Sequence, residues 1–226
     1  MSDKRLENKR VLVTQAEDYM GPATIELFDE HGAEVIADSR DLTQDGAVEA
    51  LVEETGHIDI LVANLAAPAH PGITATEMTD EIWSTMFDMM VHPLQRLCRA
   101  VLPQMYERQS GKIVVFGSAT GLKAIDLAPA YSSARFAQVG YVKAVGAEAA
   151  RHNVQINLIA QNFVENPAYY PPEFQETDLF KEMMTQVPIG RLATAREDAQ
   201  FALFLASNES DFFVGQAIPF SGGWAQ

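Results

Sequence analysis

Short runs of apolar residues alternate with longer amphipathic segments along most of the chain. Uninterrupted apolar runs are typical of strands that are buried on both faces, as in a parallel sheet. Apolar residues spaced three and four positions apart indicate helices with one buried face. The pattern predicts six strands, over residues 10–15, 34–38, 57–64, 111–118, 153–160 and 216–223.

Helices are predicted between these strands, over residues 21–31, 45–54, 80–108, 128–152, 177–187 and 195–207. Pro93 and Pro103 are expected to kink the helix over 80–108, because proline removes a helical hydrogen bond. Proline-containing loops are predicted over 66–76 and 161–174. Regular alternation of strand and helix predicts a doubly wound parallel sheet in a three-layer, Rossmann-like α/β/α fold. No linker interrupts the pattern, so residues 1–226 are predicted to form one domain.

Composition and charge narrow the kinds of molecule that the protein is expected to bind. The 226 residues suit one α/β domain. Lys and Arg total 16 against 31 Asp and Glu, which gives a net charge of -15. Nucleic-acid binding draws its affinity from clustered basic residues, so nucleic acid is not predicted as a partner. The same acidity disfavours a polyphosphate cofactor, although a local site can override net charge.

The sequence also bears on the cellular compartment of the protein and on metal binding. The segment MSDKRLENKR lacks the apolar core of a signal peptide. No apolar run approaches the roughly 20 residues that span a bilayer. Cys98 is the single cysteine, which suits a reducing compartment, and we predict a soluble cytoplasmic protein. The histidines lack metal-binding spacing, so no metal site is predicted; they are His31, His57, His70, His92 and His152.

Tyr131 and Arg135 form a Tyr-x-x-x-Arg motif on the helix predicted over 128–152. Residues four apart share one helical face, so both side chains can enter one cleft. A tyrosine acts as a base only as its phenolate, which a permanent cation such as arginine favours. Ser118 lies at the end of a predicted strand and can donate a hydrogen bond to a substrate oxygen. A Tyr-x-x-x-Arg motif on its own is often an exposed pair of residues on a helix surface. The position of Ser118, at the end of the preceding strand, favours a catalytic trio instead.

The chain resembles the short-chain dehydrogenase/reductase superfamily along nearly its whole length. The resemblance is carried by the segments HIDILVAN, GKIVVFGS, YSSAR, RHNVQIN, GRLATAREDAQFALFLAS and SGGW. Enzymes of that superfamily carry a TGxxxGxG loop after the first strand, where this chain has TQAEDYMG and only Gly21 fits plainly. Tyr19 and Met20 are expected to fill the space of a pyrophosphate, and Glu17 and Asp18 to repel it.

Two further departures concern the catalytic residues. The superfamily uses Tyr-x-x-x-Lys where this chain has Arg135, and many members carry a proton-relaying asparagine where Met90 lies by register. The three departures together resemble the halohydrin dehalogenases, which have lost the dinucleotide. The resemblance implies a cofactor-independent lyase and a homotetramer. In the reaction that the resemblance implies, Tyr131 removes the hydroxyl proton of a vicinal haloalcohol while Ser118 holds the hydroxyl oxygen. The resulting alkoxide then expels halide and closes an epoxide. Small anions open epoxides in the reverse reaction.

The resemblance also implies a halide pocket in the space of the nicotinamide ring. Gln161, Asn162, Phe163 and Val164 are expected to form it, with Tyr19 facing them. Aromatic edges and backbone N–H groups suit a weakly hydrated halide. Family members often carry proline where this chain has Gln161. Two tyrosines of the following loop either contact substrate or pack as a lid; they are Tyr169 and Tyr170.

Two alternatives stay open at this point. An NAD(P)-dependent short-chain oxidoreductase with an unusual phosphate loop would bind a dinucleotide. A non-catalytic relative would need neither the trio nor a cofactor, and the intact set of Ser118, Tyr131 and Arg135 disfavours it.

Overall fold

The computed structural model describes residues 4–69 and 72–226, and its centre is a parallel sheet. Within those residues the sheet has six strands in the order β2-β1-β3-β4-β5-β6. This confirms the predicted doubly wound α/β fold. The strands are β1 (Arg10–Thr14), β2 (Glu34–Asp38), β3 (Ile60–Asn64), β4 (Gly111–Phe116), β5 (Val154–Gln161) and β6 (Ala217–Phe220).

The helices cover both faces of this sheet. They are α1 (Gly21–Glu30), α2 (Ala47–Thr55), α3 (Asp80–Met90), α4 (His92–Glu107), α5 (Pro129–Ala149), α6 (Pro172–Gln175), α7 (Asp178–Met184) and α8 (Ala195–Ala206). Helices α1 and α8 pack together on one face, and α2, α4 and α5 pack on the other. In the described part of the chain, no helix is long and apolar enough to cross a membrane.

Successive residues of a strand pack alternately in two hydrophobic cores, one on each face of the sheet. Leu12 of β1 packs in the core beneath α2, α4 and α5, whereas Val11 and Val13 pack in the core beneath α1 and α8. Side chains alternate between the faces of a strand, so a strand that is covered on both faces must be apolar throughout. Strand β3 is accordingly buried at every position. This explains the continuous apolar runs in the sequence.

The helix predicted over residues 80–108 is in fact two helices. Helix α3 ends at Met90, Val91 joins it to α4, and Pro93 lies in the first turn of α4. Proline is tolerated there because the first helical N–H groups have no intrahelical acceptor in any case. Pro103 lies inside α4, which continues past it to Glu107. Pro93 therefore lies just after the break between the two helices, and Pro103 does not end α4.

Several predicted boundaries shift by a few residues, and two shifts concern the site. Strand β4 ends at Phe116, so Ser118 lies two residues beyond the strand rather than at its end. Gln161 belongs to β5, where it pairs with Phe220, and is not part of the following loop. That loop also contains the short helix α6. His70 and Pro71, within the predicted loop over 66–76, lie outside the described residues, as do residues 1–3.

The strand order places a switch point beside β1. The chain leaves β1 to form β2 on one side and returns to form β3 on the other. The connections therefore diverge at the carboxyl ends of β1 and β3, where ligands bind in open α/β sheets. The loops that follow β1, β3, β4 and β5 meet at this edge.

Candidate active site

A cavity of about 280 Å³ opens at the carboxyl edge of the sheet, and we call it the edge cavity. Ligand pockets commonly measure about 300–1,000 Å³, so this volume suits a small molecule. The cavity brings together all ten residues that the sequence singled out, whose roles stay predictions. They are Tyr19, Ser118, Tyr131, Arg135, Gln161, Asn162, Phe163, Val164, Tyr169 and Tyr170.

Helix α5 presents Tyr131 and Arg135 to the edge cavity one helical turn apart. Both side chains are more than nine-tenths buried. The guanidinium carbon of Arg135 lies 5.0 Å from the centre of the Tyr131 ring. A cation within about 6 Å of an aromatic ring attracts its electrons, and it attracts a phenolate oxygen more strongly. The Tyr131 hydroxyl makes no hydrogen bond with any described residue, so it is available to a substrate.

Neutral oxygen atoms hold Arg135 in place. Its Nη1 donates to the carbonyl of Leu65 at 3.0 Å, to Oε1 of Gln138 at 2.9 Å and to the carbonyl of Phe116 at 3.4 Å. Carbonyl and amide oxygens fix the guanidinium without neutralising its charge. Its full positive charge therefore acts beside Tyr131.

Gln138 links Arg135 to helix α3. It is fully buried, and its Nε2 donates to the carbonyl of Met90 at 2.9 Å while its Oε1 accepts from Arg135. The Met90 side chain packs in an apolar cluster that includes Tyr131 and Ala134. Met90 therefore contributes its backbone oxygen and its bulk to the site.

Ser118 is oriented by the residues that follow it. It caps a 3-10 turn over Ala119–Gly121, and its Oγ accepts from the Thr120 N–H at 3.2 Å and from Thr120 Oγ1 at 2.9 Å. Two accepted bonds occupy the oxygen lone pairs, so the hydroxyl proton remains for a ligand. A Cβ on Gly121 would lie 2.7 Å from the Arg135 carbonyl oxygen, so glycine lets the turn pack against α5.

We expect Thr120→Val to lower kcat by roughly threefold to tenfold. Ser118 would lose one of the two hydrogen bonds that orient it, and a bond of this kind contributes about 1 kcal/mol. Steady-state rates on the substrate of the enzyme measure the effect. Thr120→Ser, which keeps the hydroxyl, should restore most of the rate. Equal losses in both variants would show that the hydroxyl does not orient Ser118.

The loop over residues 15–20, here the β1 loop, is fastened to the end of β3. Asn64 Nδ2 donates to the carbonyls of Gln15 at 2.9 Å and Asp18 at 3.0 Å. The Gln15 side chain in turn bonds both the N–H and the carbonyl of Ala66. A Cβ on Gly21 would lie 2.4 Å from the carbonyl oxygen of Ala16, so only glycine permits this turn into α1.

A pair of tyrosines, here the tyrosine bridge, spans the edge cavity. The rings of Tyr19 and Tyr169 lie 5.6 Å apart, and the Tyr169 hydroxyl donates to the carbonyl of Ala67 at 3.0 Å. Tyr19 has a φ of 51°, which an L residue adopts only at a cost in energy. The bridge therefore joins the loops after β1, β3 and β5.

Burial favours the neutral form of three tyrosines in the cavity, Tyr19, Tyr169 and Tyr170. It raises the pKa of Tyr19 and of Tyr169, and it raises the pKa of Tyr170 to about 12. Desolvation disfavours the charged form of each phenol. These residues therefore offer hydroxyl groups and aromatic edges, and they add no negative charge to the site.

The β1 loop does not suit a dinucleotide. A pyrophosphate requires close approach of a glycine backbone at the start of the first helix. Here Tyr19 extends from that position to Tyr169. Glu17 and Asp18 precede it and carry negative charge. The residues that a bound pyrophosphate would contact are thus bulky or repulsive.

Asp38 ends β2, where a ribose-binding acid lies in dinucleotide enzymes. Its Oδ1 accepts from the Arg40 N–H at 3.0 Å, and its Oδ2 accepts from Arg40 Nε at 2.8 Å. Both carboxylate oxygens of Asp38 therefore accept hydrogen bonds within the chain, which agrees with a capping and surface role.

Comparison with known proteins identifies the family. Residues 6–225 match the model of a family described as enoyl-(acyl carrier protein) reductase. The chain belongs to this family, within the short-chain dehydrogenase/reductase superfamily. A 3-oxoacyl-[acyl-carrier-protein] reductase of Chlamydia muridarum is 30% identical over 253 residues, which cover 97% of this chain and 98% of that protein.

Other members of the superfamily are similar over the same length. Dehydrogenase/reductase SDR family member 6 of Danio rerio is 28% identical over 97% of this chain and 98% of its own. A solved structure described as a dehalogenation enzyme is 31% identical, with a TM-score of 0.89 over 98% of this chain and 100% of that chain. The relatives thus include both reductases and a dehalogenating protein.

Three polar residues that position parts of the candidate site were not found from the sequence. Gln138 had a usable signal, since it lies three residues after Arg135 on the same helix and is polar on a buried face. Thr120 and Asn64 had none, because their partners become apparent only when the turns after β4 and β1 are formed. Loop residues of this kind are positioned by tertiary contacts.

Trp224 lies behind the cavity wall. Its ring meets Phe163 edge-on at 5.9 Å, and Lys123 Nζ lies 4.5 Å from the ring centre. Lys123 also donates to the Trp224 carbonyl at 3.0 Å. The end of the chain therefore supports Phe163.

Among the residues that the structure describes, no cluster of three or more histidine, cysteine and acidic side chains could hold a metal ion.

Proposed function

We propose that this protein is a cofactor-independent halohydrin dehalogenase, a lyase that converts a vicinal haloalcohol into an epoxide and a halide ion. One observation carries the proposal. The chain keeps Ser118, Tyr131 and the positively charged Arg135 in one cavity, while Tyr19 of the tyrosine bridge belongs to the loop that carries glycines in the superfamily. A base beside a loop that does not suit a dinucleotide favours proton abstraction and internal displacement over hydride transfer. The dehalogenating relative with 31% identity supports this choice.

The proposed reaction begins at the hydroxyl of the haloalcohol. Ser118 donates its free proton to the substrate oxygen, and the phenolate of Tyr131 takes the hydroxyl proton. The alkoxide attacks the neighbouring carbon from the side opposite the halogen, so that one C–O bond forms as the carbon–halogen bond breaks. The products are an epoxide, a halide ion and neutral Tyr131. In reverse, a small anion opens the epoxide and Tyr131 returns the proton.

A second candidate is an NAD(P)-dependent oxidoreductase of the reductase type. It is favoured by the curated relatives, which include 3-oxoacyl-[acyl-carrier-protein] reductases at 30% identity over nearly the whole chain. The same serine and tyrosine could then donate to a carbonyl oxygen during hydride transfer. This candidate requires nucleotide binding beside Glu17, Asp18 and Tyr19.

Titration with NADH and with NADPH separates the two candidates. Nucleotide fluorescence and calorimetry should show no saturable binding by the wild-type protein under the dehalogenase proposal. Micromolar binding of either nucleotide, together with reduction of a ketone, would overturn the proposal in favour of the reductase.

Arg135→Lys is expected to lower activity about tenfold or more and to shift the pH–rate profile to higher pH. Lysine has one ammonium group in place of a planar fork and is a less permanent cation, so it cannot reproduce the contacts with Leu65, Phe116 and Gln138. The pH dependence of kcat measures the shift. A wild-type rate with an unchanged profile would contradict the assigned role of Arg135.

The family resemblance also leads us to propose a homotetramer that acts on small haloalcohols. The cavity volume of about 280 Å³ supports a small substrate. Sedimentation or light scattering at micromolar concentration would measure the number of subunits.

A further inference from the structure

A second cavity, of about 510 Å³, lies against a different face of helix α5 from the edge cavity, and we call it the outer groove. Tyr131 and Arg135 face the edge cavity. The helix lines the outer groove with residues spaced three and four apart, which share one helical face. The groove is formed by residues 73–75, by residues 124–127 and by Pro129, Ser132, Ser133 and Phe136 of α5.

The outer groove adjoins the edge cavity. Ile125 lines both cavities and is itself only partly buried. A smaller apolar pocket lies on the other side of this contact, and it shares Tyr131 with the edge cavity and Pro129 with the outer groove. A molecule whose reacting atoms lie at Tyr131 is therefore within reach of the outer groove.

Leu127 joins the two walls of the outer groove. Its carbonyl accepts hydrogen bonds from the N–H groups of Gly72 at 2.9 Å and Ile73 at 3.0 Å. Its φ is 55°, a conformation that leucine adopts only at a cost in energy, and its side chain is 44% exposed. Backbone strain of this kind is concentrated at ligand sites. An exposed leucine held in a strained conformation thus supports a contact with a ligand.

The lining of the outer groove favours a neutral, apolar ligand. Phe136 is also 44% exposed, so two large apolar side chains in this groove meet water. Covering such surface with an apolar group stabilises the complex. Among the described residues of the groove, Asp126 is the single charged one, and its carboxylate would repel an anionic group.

We propose that the outer groove binds the apolar substituent of the substrate, so that the preferred substrate carries an alkyl chain or an aromatic ring beyond its reacting carbons. The inference rests on the proposed function for the reacting group, a haloalcohol or epoxide in the edge cavity. The edge cavity takes the reacting carbons, and a haloalcohol without a substituent lacks only the contacts in the groove. Binding of the substituent itself requires no catalysis.

Unreactive alcohols measure these contacts without turnover. NMR titrations with butan-2-ol, hexan-2-ol and octan-2-ol give dissociation constants for wild type and for Phe136→Ser. Each CH₂ group that leaves water adds up to about fourfold in affinity, so we expect wild type to bind octan-2-ol at least tenfold more tightly than butan-2-ol. Phe136→Ser should lose most of this gain and bind butan-2-ol as wild type does.

Phe212→Ser is the matched control. Phe212 is fully exposed, and its neighbour Asp211 pairs with Lys112 at the amino end of β4, at the opposite edge of the sheet from both cavities. The variant removes an exposed phenylalanine without touching the outer groove. It should therefore keep the wild-type gain with chain length.

An affinity that does not rise with chain length in wild type, or an equal rise in Phe136→Ser, would overturn the proposal. Leu127→Asn is a second variant should the first fold poorly, since asparagine adopts a positive φ readily, and it should also weaken octan-2-ol binding. A changed number of subunits by sedimentation, with wild-type affinity for octan-2-ol, would assign the groove to a second copy of the chain instead.

Halide release from 1-chlorooctan-2-ol separates this inference from the proposed function. If octan-2-ol binding depends on Phe136 and no halide is released, the proposed function fails and the groove stands. If halide is released and neither Phe136→Ser nor Leu127→Asn affects octan-2-ol binding, the proposed function stands and the groove fails.

Discussion

Replacing Tyr131 with phenylalanine is expected to lower halide release by about a hundredfold to ten-thousandfold, the usual contribution of a general base. The ring would still fill its place beside Arg135, so the packing of α5 changes little. The loss should therefore fall on kcat, with little change in the midpoint of thermal unfolding. Stopped-time halide assays at saturating haloalcohol, together with a melting curve, measure both quantities.

Tyr141→Phe is the matched control for this experiment. Tyr141 lies on the same helix but faces Cys98 and α4, away from the edge cavity. Its loss should leave halide release within about twofold of wild type, because surface and remote substitutions rarely disturb a site that they do not touch. Comparable losses in both variants would point to a damaged helix, and no loss in Tyr131→Phe would remove Tyr131 from the mechanism.

Replacing Asp198 with asparagine is expected to stabilise the protein at neutral and alkaline pH. Asp198 lies in the first turn of α8, is fully buried, and has no hydrogen-bond partner for either carboxyl oxygen. Burial raises the pKa of this carboxyl to about 8 from its usual value of 3.8. The positive end of the helix dipole offsets only part of this desolvation.

The sign of the pH dependence follows from the direction of this shift. The folded protein holds the Asp198 proton between about pH 4 and pH 8, whereas the unfolded chain has lost it. Stability is therefore fully present below pH 4 and decreases as the pH rises to 8. One pKa unit corresponds to about 1.4 kcal/mol, so the rise from 3.8 to about 8 sets an upper bound of about 6 kcal/mol, and we expect Asp198→Asn to be more stable than wild type by a few kcal/mol above pH 8.

Thermal melts from pH 4 to pH 9 measure this effect, and a few kcal/mol corresponds to a shift on the order of 10 °C in a protein of this size. The two curves should meet near pH 4 and separate as the pH rises. Asp178→Asn, at an exposed position in the first turn of α7, is the control and should follow wild type. Parallel curves for Asp198→Asn and wild type would show that Asp198 finds a partner in solution.

Much of the fold could be predicted because both faces of the sheet are covered. Continuous apolar runs locate the buried strands, and helical spacing locates the segments between them. The break between α3 and α4 was not predicted, since Pro93 is equally compatible with a kink and with the first turn of a new helix. The end of β4 was misplaced by two residues because Gly117 still donates to the Ile159 carbonyl of β5 at 2.9 Å, whereas Ser118 already caps the following 3-10 turn.

The candidate site was predictable where residues act through local spacing. Tyr131 and Arg135 follow from the helical period, and Ser118 follows from its place after a strand. Gln138 and Thr120 depend on how α5 packs against α3 and against the turn after β4, which spacing does not encode. The buried Oε1 of Gln161, which has no hydrogen-bond partner, is likewise apparent only in the folded structure.

The proposed function requires that this chain releases halide without a nucleotide. The decisive measurement is halide and epoxide formation from a small vicinal chloro- or bromoalcohol, using protein freed of nucleotide and compared with Tyr131→Phe. We predict equal amounts of halide and epoxide in wild type, no stimulation by NADPH, and almost complete loss in the variant. Absence of halide release, or release that requires NADPH, would contradict the proposed function.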